Sequence, residues 1–311
     1  MKVMPVNTPE ITFCIFGFNR GQFLQHCVAS IEKALPAAEI VLFDDDSTDP
    51  ATCDILAHLQ ARHQVIKPVR KGAIKHGGLY HNMQNALELL SDRRLLCFLQ
   101  DDTQVVRPLG EKEISQLHQA FADHPQLGFI HPCFIRGVDL RKRPVIALPG
   151  PEDGLYLRKD MGQSAGIHYS DLVIFNPRRR LDAGWRFAQS EPENDRQAKA
   201  LFGAMPYMHA PFAMWLPEVP AYRGKQKTFA LKVAERKRRC GFYPFVFWRE
   251  DQVASFLQRP RTQLPVAEDF LTCEPSPAHT PWTYNPLTGQ RLLKHLNNLE
   301  VFLRRYLRVK H

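Results

Sequence analysis

Two pairs of adjacent carboxylates, Asp44-Asp45 and Asp101-Asp102, each close a short apolar run: EIVLF ahead of the first, LLCFLQ ahead of the second. A short, bounded apolar run is the pattern of a strand buried on both faces, so each pair is delivered to a strand's carboxyl end. In open α/β sheets that edge is where ligands bind, and carboxylates beside phosphates seat a hard divalent cation. Asp and Glu favour Mg2+ or Mn2+, whereas zinc would want His or Cys. A third apolar run, ITFCIF, ends in Gly17-Phe18-Asn19-Arg20. The competing reading of Asp101 and Asp102 is that they cap the next turn, as Asp often does. Convergence of Asn19-Arg20, Asp44-Asp45 and Asp101-Asp102 on one edge is hard to explain as three independent caps. Further along, Glu191, Glu193 and Asp195 could supply a general base, although acids in a helix's first turn also complement its dipole. The segment KGAIKHGG, with Lys75 and His76, is a basic glycine-bearing loop suited to phosphate.

The elements that must position these groups alternate. Ile11 to Phe16 reads as a strand, and Phe23, Leu24, Cys27, Val28, Ile31 and Leu35 then fall at helical spacing up to Pro36. Glu39 to Phe43 is a second strand. Pro50 follows Asp49 as N1 follows an N-cap, with Ile55, Leu56 and Leu59 on the next helix. Gln64 to Val69 is expected as a third strand, Leu79 to Leu90 as a helix, Ile114 to Phe121 as another, and Leu127 to Cys133, Asp171 to Phe175 and Tyr207 to Leu216 as further strands. Strands alternating with helices imply βαβ units and a mainly parallel sheet. After Pro217 the alternation fades: Lys225 to Arg239 is strongly basic, Pro260 to Pro286 is loop-like, and Leu287 to Val309 is a basic amphipathic helix carrying Leu292, Leu293, Leu296, Leu299, Leu303 and Leu307. Such a helix can dock on its domain, pair with another subunit or lie on an anionic membrane, docking being the commonest.

The 311 residues are 44% hydrophobic and 23% charged, an ordinary globular balance with length enough for a large core. Seven scattered cysteines without a C-x-x-C pair argue for reduced thiols in a cytoplasmic chain, and neither a signal sequence nor a membrane span is expected. His81, His168, His209 and Cys240 read as satisfied core groups, and Trp185 and Trp215 as packing or sugar-stacking rings. A net charge of +9 favours an anionic partner. With neither a Walker A motif nor G-x-G-x-x-G, the P-loop and dinucleotide-binding readings lose their main support.

ITFCIFGFNR resembles the opening strand of family 2 glycosyltransferases of the GT-A fold, and EIVLFDDDSTD is similar to their second strand, usually apolar residues followed by DDGSTD. GGLYHNMQNALELL resembles their third helix, with Asn85 in its asparagine position, and LLCFLQDDT resembles the strand bearing their metal-binding D-x-D. The resemblance runs over residues 10–220 with the motifs in order. It implies an α/β chain with one Rossmann-like, mainly parallel sheet flanked by helices, a mixed acceptor-side half, and a C-terminal helical extension. The division expected is a GT-A domain over residues 1–219 and a basic extension over 220–311. It further implies Phe18, Asn19 and Arg20 near the nucleotide, Asp44 or Asp45 bonding a uracil or thymine ring, and Lys75 and His76 near base or phosphate. Gln100 would sit near the ribose, Asp101 would be a supporting group, Asp102 would hold Mn2+ or Mg2+ against the diphosphate, and the base would be Glu191, Glu193 or Asp195, with Glu193 leading. The partners implied are a UDP- or dTDP-type sugar donor and a glycan or lipid-linked acceptor, with no nucleic acid and with peripheral membrane contact open to the basic tail.

The chain departs from that pattern in three places. Asp46 replaces the glycine after the paired acids, a turn position that needs a left-handed backbone which Asp tolerates better than most residues. Gln100 replaces the first acid of D-x-D, and E-N-D replaces a clean E-D. The chemistry implied is inverting transfer of a sugar to an acceptor hydroxyl; the alternatives are a sugar nucleotidyltransferase and a nucleic-acid-binding protein acting through its basic surface.

Overall fold

A computed structural model of the chain describes residues 9–67, 78–140, 154–157, 166–221 and 227–309. Its first half runs β1 (Thr12–Gly17), α1 (Gly21–Ala34), β2 (Glu39–Asp44), α2 (Pro50–Gln60), β3 (Gln64–Ile66), α3 (Leu79–Leu89), β4 (Leu96–Gln100), β5 (Thr103–Val105), α4 (Glu111–Asp123) and α5 (Gly137–Leu140). There follow β6 (Leu155–Tyr156), β7 (Val173–Phe175), α6 (Pro177–Asp182), α7 (Glu191–Leu201), β8 (Tyr207–Met208) and β9 (Ala213–Trp215). The last part is helical: α8 (Phe229–Arg238), α9 (Glu250–Leu257), α10 (Ala267–Phe270) and α11 (Arg291–Val309).

The central sheet has the order β3-β2-β1-β4-β7. Its first three pairings are parallel, and β7 runs antiparallel to β4. The chain is therefore α/β with a mainly parallel sheet flanked by helices, as the alternation predicts. The apolar runs form strands because both faces are covered: every residue of β1 from Thr12 to Phe16 is buried, as is β4 from Leu96 to Leu99. Phe43, Phe16, Phe98 and Phe175 set rings across four neighbouring strands with centroids 4.8–5.3 Å apart. Register aligns the strand ends, with Gly17 beside Asp44 and Phe16 beside Gln100. Three strands thus deliver their polar termini to one edge.

Several segments differ from the reading of the sequence. Leu127 to Cys133 is no regular strand: Ile130, His131 and Cys133 bridge three different partners, and Pro132, which has no N–H, sits between them. Tyr207 to Leu216 is broken into β8 and β9 around Pro211, and β9 pairs with β5 in a sheet of its own. β3 ends at Ile66, and Pro68 and Val69 lie outside the described residues.

Residues beyond 219 complete the same core that the sheet begins. Phe245, Trp248, Phe256, Leu271 and Trp282 pack into one cluster with the strands, and burying Phe245 and Phe256 there stabilises the fold by roughly 1.5–3 kcal/mol each. Gln104 donates to the Phe245 carbonyl and accepts from its amide, both at 2.8 Å, while the Trp248 amide donates to the Val106 carbonyl.

Candidate functional site

The turn after β2 is built first from its own hydrogen bonds. Asp44 is 2% exposed, and its carboxylate accepts from the Ser47 amide at 3.0 Å and the Ser47 hydroxyl at 2.5 Å. Asn19 bridges from β1: its side-chain oxygen accepts from the amides of Thr48 and Asp49, and its own amide donates to Ser47 Oγ. Asn19 and Asp46 both adopt left-handed backbone, φ 51° and 67°, as the Asp46 departure from the glycine pattern required. Asp49 then caps α2 by accepting from the Thr52 amide. Of the Asp44-Asp45 pair, Asp44 and its neighbour Asn19 are occupied in holding the turn, and Asp45 faces outward to accept from the Gly78 amide at 2.8 Å.

Gly21 sets where Arg20 stands. A Cβ at Gly21 would lie 2.8 Å from Ile55 Cδ1 and 2.9 Å from Thr52 Cα, so only glycine lets α1 begin this close to α2. From that position Arg20 Nη1 donates to Asp101 Oδ1 at 3.0 Å and to Asp102 Oδ2 at 2.7 Å. Asp101 is 6% exposed and also accepts from the Phe18 amide. Burial raises its pKa, the adjacent Asp102 charge adds to the rise, and Arg20 opposes it. Oδ1 of Asp102 is buried with no hydrogen-bond partner among the described residues. A carboxylate oxygen held away from water and left unpaired costs free energy unless something positive meets it.

An open cleft of about 180 Å³ lies against this edge, lined by Phe16, Gly17, Phe18, Arg20, Asp45, Leu79, Asn82, Gln100 and Asp101. Asn82, not Asn85, is the α3 asparagine that reaches it.

The antiparallel strand β7 adds a group that the reading of the sequence passed over. Because β7 runs against β4, the residues before its start lie at β4's carboxyl end, and Asp171 comes beside Gln100. Asp171 accepts from Tyr169 Oη at 3.1 Å, Tyr80 Oη at 3.3 Å and Gln100 Nε2 at 3.4 Å. Burial and then the charge of Glu191 push its pKa up to about 7. The Tyr80 phenol is likewise raised, by burial and by the charges of Asp171 and Glu191.

The acidic stretch of α7 separates into unlike groups. Asp195 is buried, and its Oδ1 accepts from the amides of Gly166, His168 and Tyr169 at 2.8–3.1 Å, so it anchors the turn leading to β7. Glu193 is exposed and accepts from Ser190 Oγ at 2.8 Å, closing the start of the helix. Glu191 is half-buried; burial raises its pKa, Arg136 opposes the rise and Asp195 adds to it. The charge of Glu191 reaches Asp171, Tyr80 and Tyr169. Near Glu191, Arg136 pairs with Asp139 at 2.6 Å and stands 5.3 Å over the Trp215 ring and 5.7 Å over Tyr284. Trp185, the other ring considered for sugar stacking, is fully buried. Lys75 and His76 lie outside the described residues.

Among the described residues, no three His, Cys, Asp or Glu side chains gather as a metal cluster. A hard cation held partly by substrate phosphates needs only one or two protein carboxylates. Asp102, with one buried unpartnered oxygen, is of the type that fits.

No family model and no curated protein matches the sequence. Distant likenesses exist among solved structures. A mannosyltransferase, PcManGT from Pyrobaculum calidifontis, in complex with GDP-Man and Mn2+, is 14% identical over 75% of this chain and 62% of its own, with a TM-score of 0.42. An active-site mutant of LgtC is 13% identical over 62% of this chain and 66% of its own, TM-score 0.33. A mycobacterial protein is 13% identical over 90% and 88%, TM-score 0.41. The chain thus spans less than two thirds of the first two.

Proposed function

We propose that this chain is a glycosyltransferase of the GT-A type, moving a sugar from a nucleoside diphosphate to an acceptor hydroxyl with inversion. The observation that carries the reading is the meeting, on one sheet edge, of an acidic cleft wall, a guanidinium and a buried unpaired carboxylate oxygen beside a separate acid with a raised pKa.

In this reading Phe18 and Leu79 flank the nucleoside base, and Asp45 accepts from a ring N–H of uracil or thymine. Asn82 and Gln100 offer bonds to the ribose hydroxyls. Arg20 places a cation where the diphosphate charge lies, and Asp102, whose Oδ1 has no partner among the described residues, would hold Mn2+ or Mg2+. Such a cation, when bound, neutralises charge on the departing diphosphate. Glu191 takes the proton from the acceptor hydroxyl; a raised pKa makes it a stronger base than an exposed carboxylate. Its partial burial beside Asp171 and Tyr80 keeps water from competing. Trp215 and Tyr284, with Arg136 over both, offer flat apolar faces for an acceptor glycan.

The test is a thermal-shift panel of UDP-, dTDP- and GDP-sugars with and without Mn2+, run on the wild-type chain and on Asp102→Ala. The expected result is stabilisation of the wild type by one donor class that requires the cation and disappears in the variant. Failure of every donor to stabilise the wild type in the presence of the cation would overturn the reading.

A further inference from the structure

α11 rests on α8 with four of its leucines exposed. Leu292, Leu296, Leu299 and Leu303 follow one another at i, i+4, i+7 and i+11, one face of a helix, and are 72%, 46%, 54% and 48% exposed. The stripe one residue further on is the one that touches α8. Asn297 accepts from Thr228 Oγ1 at 2.7 Å, Glu300 accepts from the Phe229 amide at 2.8 Å, and Arg304 donates to the Lys227 carbonyl. The helix cannot turn its leucines inward without breaking all three bonds. Phe302 and, on α8, Phe229 extend the apolar face at 64% and 75% exposure. Scattered exposed leucines need no explanation, but a contiguous apolar ridge marks a surface that meets something.

Charge decides what meets it. Arg291 and Lys294 on α11 and Lys232, Arg236 and Lys237 on α8 are exposed. The acids of these two helices are both engaged: Glu300 with Phe229 and Arg304, and Glu235 with Lys227 at 2.8 Å. A second copy would set cations against cations, with no opposite charges to specify pairing. Anionic headgroups complement the cations, and an apolar stripe flanked by basic residues is the form of a helix lying in a membrane interface. Among the described residues no helix is long and apolar enough to cross a membrane, so contact would be in the plane.

From the exposed leucine stripe of α11, beside the stripe that holds α8, we infer that the leucine face, together with the exposed end of α8, docks on an anionic lipid surface. The full chain is mixed with vesicles of phosphatidylcholine alone or with about a third phosphatidylglycerol and sedimented. The expected result is capture by the anionic vesicles only, weakening as salt is raised. Replacing Leu296 and Leu299 together by Glu should lower partitioning ten-fold or more, and each of Lys232→Gln, Arg236→Gln and Lys237→Gln by about five-fold. All these side chains are exposed, so thermal midpoints should stay at the wild-type value and separate lost docking from lost folding. A wild-type chain that stays in the supernatant overturns the inference, as does capture that the leucine changes leave intact. A wild-type dimer in sedimentation equilibrium that the same leucine changes dissociate would hand the face to a second copy and overturn it equally. Each result is independent of whether a nucleotide sugar binds.

Discussion

The ends of β2 and β4 look alike in sequence and differ in what surrounds their carboxylates. At the end of β2, Asp44 has both oxygens bonded to Ser47, and Asn19 is bonded to three residues of the same turn. At the end of β4, two acids share one guanidinium, one oxygen of Asp102 has no partner among the described residues, and Asp171 beside Gln100 carries a raised pKa. The first arrangement is complete without a ligand, whereas the second is costly until something joins it. Hydrogen-bond saturation, and not membership of an acid pair, marks Asp44 as part of the scaffold.

The largest effect that would sharpen this contrast lies in α7. Glu191→Gln should lower turnover about 10²–10⁴-fold in steady-state assays with the donor found in the thermal panel, the range expected for loss of a general base. Glu193→Gln, which changes an exposed group held by Ser190, should stay within about two-fold of wild type. The reverse order would return the base to Glu193. Next in size, Asp44→Ala should cost about 1–3 kcal/mol in urea denaturation, because it strands the Ser47 amide and hydroxyl in a buried turn. Asp102→Asn should cost less, since its free oxygen has no bond to lose and Arg20 keeps Asp101. Equal losses would erase the distinction between the two strand ends.

The remaining effect is in pH. Asp171 has a folded pKa near 7 against an unfolded value near 4, so the folded chain holds a proton that the unfolded chain has released. Its contribution is full below about pH 4 and is lost as pH rises toward about 7, so stability falls across that window. In Asp171→Asn that part of the fall should be absent from urea midpoints taken across it. A curve parallel to wild type would place the titration elsewhere.

β1, β2 and β4 were legible because a fully buried strand must be apolar along its whole length, and their ends could therefore be located. The direction of β7 was not: its three residues carry no signal for parallel or antiparallel, and Asp171 stayed hidden because only the antiparallel choice brings it to the edge. Glu191 and Glu193 could not be separated either. Both lie in a helix's first turn, yet two residues apart they point about 200° apart around the axis, and only the packing of α7 says which faces inward. Residues 127–133 misled because apolar composition was satisfied by isolated bridges to several partners.

The paired bonds between Gln104 and Phe245 bear on how the protein comes into being. Gln104 lies two residues past Asp102, and its amide is answered by backbone made 141 positions later. A nascent chain that has emerged through β9 has its sheet strands but leaves a buried amide beside the acids unanswered. Pairing of Gln104 thus waits on translation of Phe245, well after the strands of the central sheet have been made.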